Sequence, residues 1–118
     1  MFGIDFQKST SVHVAHGAID FRCGIDKLVS VCVSVLKLEP TLPSAIFAFR
    51  NRASDAIKIL FYDGTGYWLC QKRLSKSKFK NWPAENEPMT QCGLDDFREI
   101  ISTSVKSKSL NLPWERIK

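Results

Sequence analysis

Apolar residues in this chain gather into short runs separated by polar breaks, most densely over residues 45–83. Residues 46–49 form a short apolar run of strand-favouring types. A polar, turn-like break follows at 50–55 (Arg-Asn-Arg-Ala-Ser-Asp). Residues 56–62 are then apolar almost without interruption, Lys58 excepted, which predicts a strand covered on both faces. Asp63-Gly64-Thr65-Gly66 carries the Asp-Gly pair typical of a hairpin turn, with two glycines to supply any positive φ. Residues 67–74 complete the pattern. Tyr67, Leu69, Gln71 and Arg73 alternate with Trp68, Cys70, Lys72 and Leu74, and polarity rises toward the end of the run. The stretch predicts a three-strand antiparallel meander over about 45–74.

The flanks read as helices and shorter extended pieces. Residues 12–16 (VHVAH) predict a short strand. Asp20 suits a helix cap, and Ile25, Leu28, Val29, Cys32, Val35 and Leu36 recur at three- and four-residue steps, which predicts a helix over about 21–38. Pro40 and Pro43 end it. Met89 and Thr90 suggest a brief extended piece. Leu94, Phe97, Ile100 and Ile101 then predict a second helix over about 94–102. The expected fold class is α+β: an antiparallel sheet packed by two helices, forming a single domain over 1–102. The Ser/Lys-rich remainder, 103–118, reads as a mobile tail.

At 118 residues the chain has room for one modest core. There is no apolar run near twenty residues and no signal-peptide pattern, so the expectation is a cytoplasmic protein that does not enter a membrane. The net charge of +5 only tilts toward an acidic partner. Its distribution says more. Lys72, Arg73, Lys76, Lys78 and Lys80 follow one another with no acid among them, with Phe79 and Trp82 interleaved. Lysines so spaced suit a phosphate backbone, and an exposed ring stacks on a base; the competing reading has both aromatics packed on the sheet. The four cysteines show no C-x-x-C pair or metal-finger spacing, which argues against structural zinc. His13 and His16 lie three apart on a strand and so on opposite faces; they read as two partly exposed histidines rather than metal ligands.

The central stretch also carries a resemblance. Phe47, Phe49, Arg50, Asn51 and Arg52, then Lys58-Ile59-Leu60, Asp63-Gly64, Gly66, Trp68-Leu69 and Lys72-Arg73-Leu74, and finally Phe79 and Trp82-Pro83, form one extended pattern. Upstream stand Met1-Phe2-Gly3 and Asp20, Arg22, Gly24, Asp26 and Leu28. The pattern closely resembles the small accessory proteins, called TnpB, of the bacterial insertion sequences of family sixty-six, which are distinct from the RNA-guided nucleases of that name. It departs at Cys23, where a basic residue is usual, at an extra Asn81, at Gly93 and in the tail. The resemblance implies a role accessory to DNA transposition, beside a larger transposase that carries the nuclease chemistry.

Three functional readings stand at this point. In the first, the chain binds DNA through a basic patch of Arg50, Arg52, Lys72, Arg73, Lys76, Lys78 and Lys80 with Trp82; a meander brings the 50–52 turn and the end of the third strand to one end of the sheet. The alternative for Arg50 is an ion pair with Asp55 across its own turn. In the second, the chain docks on the larger transposase through Trp68, Trp82, Trp114 and the tail without touching DNA. The third, a nuclease, lacks a carboxylate cluster: Asp55 and Asp63 flank one strand at opposite ends, and Asp95 and Asp96 diverge on a helix. No catalytic residue, cofactor or metal is expected.

Overall fold

The computed structural model describes residues 10–83 and 86–102. Seven elements follow in order: β1 (Ser11–Ala15), α1 (Ile25–Ser34), β2 (Ala45–Arg50), β3 (Ala56–Tyr62), β4 (Tyr67–Arg73), β5 (Met89–Cys92) and α2 (Leu94–Ile100). The five strands form one sheet in the order β4-β3-β2-β1-β5. The expected meander is β2-β3-β4, antiparallel throughout, with Ile46 opposite Phe61 and Tyr62 opposite Tyr67.

The sheet is mixed, not wholly antiparallel as the sequence suggested. β1 pairs with β2 in parallel and with β5 antiparallel. The reason is α1: two parallel neighbours need a crossover, and a helix between them supplies it. That helix is also shorter than 21–38. Asp20 does not cap it; its carboxylate instead accepts the backbone N–H of Arg22 at 2.9 Å, and Gly24 stands at the helix start. The far end closes where Lys37 takes a positive φ of 58° and the Leu38 N–H reaches the Cys32 carbonyl at 2.9 Å. β-branched Val29, Val31, Val33 and Val35 weaken the last turns, since such side chains lose χ1 freedom in a helix. α2 begins after Gly93 and closes two residues sooner than expected, with the Ile101 N–H on Phe97.

Strand alternation splits the core between two faces. Leu28, Cys32 and Leu36 of the α1 segment cover Ala15, Phe47, Phe49 and Leu60 on one face. On the other, Val12, Val14, Ile46, Ala48, Ile57, Ile59 and Phe61 pack with Phe97 and Ile101 of the α2 segment and with Phe79 and Trp82. The two-sided apolar runs in β2 and β3 follow from this: each central strand is buried on both faces, at about 1.5–3 kcal/mol for every large side chain removed from water.

His13 and His16 are buried, not partly exposed. His13 stacks on Phe47 with ring centroids 5.0 Å apart, and burial lowers its pKa from the ordinary value of 6.5. The His16 Nε2 lies 2.5 Å from the Thr90 hydroxyl. All four cysteines are free thiols. Among the described residues no helix is long and apolar enough to cross a membrane.

Candidate nucleic-acid interface

β2 and β4 run the same way, so the break after β2 and the end of β4 share one end of the sheet. Asn51 builds the break into a corner. Its side-chain oxygen accepts the N–H groups of Asp55 (3.0 Å) and Ala56 (3.1 Å), and its amide donates to the Asp55 carboxylate at 2.6 Å. The chain beyond β4 then returns across this corner as a strap. The Leu74 N–H donates to the Asp55 carbonyl and the Phe79 N–H to the Ser54 carbonyl, each at 2.7 Å. Phe79 and Trp82 peg the strap into the core, their rings 6.3 Å apart. The Trp82 indole N–H donates to the Ala15 carbonyl at 2.8 Å.

Those pegs set what faces water. Arg52, Lys72, Arg73, Lys76, Lys78 and Lys80 are all exposed, on one corner and the strap bonded to it. Arg73 makes a loose, half-exposed ion pair of 3.6 Å with Asp55, of a kind that contributes little to stability. Among the described residues no ion pair engages the four lysines.

Two expected site residues do not join this surface. Trp82 is buried with its N–H already donated, so its ring is not available to stack on a base. The apolar partner that outcompetes a base is the sheet itself. Arg50 is half-buried and spends its guanidinium on the fold, donating to the His16 carbonyl at 3.2 Å and the Asn51 carbonyl at 3.3 Å. Nor does it pair with Asp55, whose cationic neighbour is Arg73. Trp114 and the tail lie outside the described residues.

One exposed cation at this end escaped the sequence reading as a site residue. The loop before α1 is tied here by the Ile19 N–H on the Arg50 carbonyl at 2.9 Å, and it carries Arg22. Arg22 is exposed and forks onto Asp20 at 2.6 Å, an interaction that holds the Asp20 carboxyl well below the usual carboxylate range. Buried Lys58 fixes the same loop, donating to the carbonyls of Phe21 (2.8 Å) and Cys23 (2.6 Å) with its ammonium 4.7 Å from the Phe21 ring centre. The signal for it was the Asp20-x-Arg22-x-Gly24 spacing together with a lysine in an otherwise apolar strand.

Three further acids stand at the opposite end. Asp63 sits in the β3–β4 hairpin, and Asp95 and Asp96 open α2 just after Cys92, which pairs with Val12 at the far end of β1. Asp63 is occupied by its turn: it accepts from the Thr65 and Gly66 N–H groups and the Trp68 indole, which hold its carboxyl down at about 2. Among the described residues no group of three or more His, Cys, Asp or Glu side chains is placed to hold a metal ion.

The family model for IS66 Orf2 like protein, TnpB, matches residues 10–104 of this chain. The chain belongs to the IS66 Orf2-like family. The match places it among proteins associated with the transposition of insertion sequences. Two proteins of Sinorhizobium fredii (strain NBRC 101917 / NGR234) are similar to it. Uncharacterized protein y4hO is 38% identical over 77 residues, covering 65% of this chain and 65% of that protein, a little under two thirds of its length. Uncharacterized protein y4jC is 28% identical over 107 residues, covering 91% of this chain and 83% of that protein. No solved structure matches.

Proposed function

We propose that this IS66 Orf2-like protein assists transposition by holding DNA against the strap end of its sheet. The observation that carries the reading is the pair of 2.7 Å backbone bonds from Leu74 and Phe79 to the β2–β3 corner. They convert a sequence cluster into a surface: Lys72, Arg73, Lys76, Lys78 and Lys80 join Arg52 on one end, while Asp63, Asp95 and Asp96 lie at the other. Exposed lysines that form no ion pair among the described residues, beside an arginine, suit phosphate oxygens, and a surface of this kind tracks a backbone without reading bases. Nuclease chemistry belongs in this reading to a separate, larger transposase.

The test is fluorescence anisotropy of a labelled duplex, titrated at several salt concentrations, with the element's terminal repeat and a scrambled duplex as competitors. Binding should weaken steeply with salt. The triple variant Lys76→Glu, Lys78→Glu, Lys80→Glu should lose affinity and flatten the slope of log K against log salt by about 2–3, since each lost phosphate contact removes about 0.9 from it. Unchanged affinity would remove the strap from the interface. No binding of the native chain at low salt would discard DNA contact and leave docking on the transposase as the reading to pursue.

A further inference from the structure

β4 is an edge strand: β3 lies on one side and, among the described residues, no strand lies on the other. Which of its backbone groups face outward follows from the ladder. The Asp63 N–H bonds Gly66 at one end of the β3–β4 pair and the Leu74 N–H bonds Asp55 at the other. Antiparallel ladders alternate bonded and non-bonded pairs. Residues 68, 70 and 72 therefore spend their N–H and C=O groups on β3, and Tyr67, Leu69, Gln71 and Arg73 turn theirs outward.

Sheet edges that stay single usually carry a proline, a bulge or a charge pointing inward. β4 lacks the first two, and its charges, Lys72 and Arg73, stand only at its exposed end. It contains no proline, and its register with β3 runs unbroken from Ala56–Arg73 to Tyr62–Tyr67. Its composition is polarised, with Tyr67 and Trp68 at the start and Lys72 and Arg73 at the end. That polarity selects a partner. A parallel copy of the strand would set cation against cation. An antiparallel copy centred on Cys70 sets Lys72 opposite Trp68 and Arg73 opposite Tyr67, pairing every cation with an aromatic ring. The same register matches the four outward-facing residues with one another, so all their backbone groups bond across the seam. The other edge, β5, has four residues and a different sequence; joining β4 to β5 would build an open chain of copies rather than a closed pair.

We propose that a second copy of this chain docks antiparallel on β4, with Cys70 facing Cys70, to make a two-fold dimer with a continuous ten-stranded sheet. The two strap ends then lie on opposite sides of the seam, with the two Arg73 positions about 20 Å apart along the strand direction. The dimer does not depend on DNA binding, and its test contains no DNA.

The experiment measures mass by sedimentation equilibrium over a concentration series of the full chain. The native protein should rise from one chain toward two. Gln71→Pro should stay at one chain: residue 71 turns its N–H away from β3, so proline spares the internal ladder while blocking the seam. Circular dichroism and a melting curve check that the variant folds. An independent reading uses the native fold alone. Mild copper-phenanthroline oxidation should yield a disulfide-linked dimer that Cys70→Ser abolishes although Cys23, Cys32 and Cys92 remain, because directly opposed positions of a non-bonded pair lie within disulfide range. A native chain that stays monomeric at every concentration would overturn the proposal. So would a dimer that crosslinks equally well after Cys70→Ser.

Discussion

The two turns that flank β3 use the same device and differ in everything around it. At the β3–β4 hairpin, the Asp63 side chain gathers the N–H groups of Thr65 and Gly66 and adds the Trp68 indole. At the β2–β3 corner, the Asn51 side chain gathers the N–H groups of Asp55 and Ala56. The hairpin is exposed, takes its positive φ of 99° at Gly64 and closes within its own residues. The corner takes its positive φ of 57° at Ser54, and distant chain bonds onto it: Leu74 and Phe79 from the strap, and Ile19 bonding at its start, Arg50. A local turn is complete when its own side chain is satisfied. A corner that receives a strap must hold its shape for others, and tertiary bonds sustain a backbone conformation that serine alone disfavours.

If the corner owes its shape to the strap, removing the strap's peg should cost most. Trp82→Ala deletes a buried indole, opens a cavity and strands the Ala15 carbonyl. The expected loss is about 3–5 kcal/mol in urea unfolding. A loss below 1 kcal/mol would mean that the strap rests on the sheet without supporting it.

Next comes the corner's own anchor. Asn51→Ala removes three side-chain hydrogen bonds and leaves two half-buried N–H groups unsatisfied. It should cost about 2 kcal/mol. Denaturant curves of Asn51→Ala and Asp63→Ala side by side sharpen the contrast. The corner variant should be clearly the weaker, because water can replace Asp63 at an exposed turn. Equal losses would break the distinction.

A smaller effect belongs to Gly64. A Cβ there meets nothing within 4 Å, so only its backbone conformation opposes a side chain. Gly64→Ala should cost about 1 kcal/mol by thermal unfolding, the ordinary penalty for forcing an alanine into the left-handed region.

The same contrast explains what the sequence revealed and what it hid. Much that is local to the meander was legible: the Asp-Gly hairpin, the two-sided apolar runs, and the shared end of Arg52 with Lys72 and Arg73. So was the family, from motifs that run through these same residues. Contacts made by residues far apart were not. The parallel register of β1 on β2 leaves no mark in either strand's alternation. Trp82 reads as a stacking platform or, more readily, as a peg on the sheet; its bond to Ala15, across the whole meander, decides. Lys58 looked like an interruption in a strand, yet its alternation put it on the α1 face, where two carbonyls of the loop before the helix receive its ammonium. Arg50 looked like a phosphate ligand because its neighbours are cationic, and the structure spends it on two carbonyls.

The smallest expected effect isolates the hairpin's charge from its hydrogen bonds. The turn's donors hold the Asp63 carboxyl at about 2, below its ordinary 3.8. A carboxyl lowered in the folded state stays ionised there while the unfolded chain takes up its proton. Its contribution to stability is therefore whole above about pH 3.8 and is lost as pH falls toward 2. Asp63→Asn keeps an acceptor oxygen for Thr65 and Gly66 but cannot titrate. Subtracting its stability-against-pH curve from the native one should leave a difference that is flat near neutrality and changes only in that acid window. The difference should be small, because the carboxylate is fully exposed to solvent. A difference that is just as large at pH 7 as at pH 3 and never changes between them would mean that the turn holds Asp63 for its shape alone, and the hairpin would then match the corner in drawing on a side chain's hydrogen bonds and not on its charge.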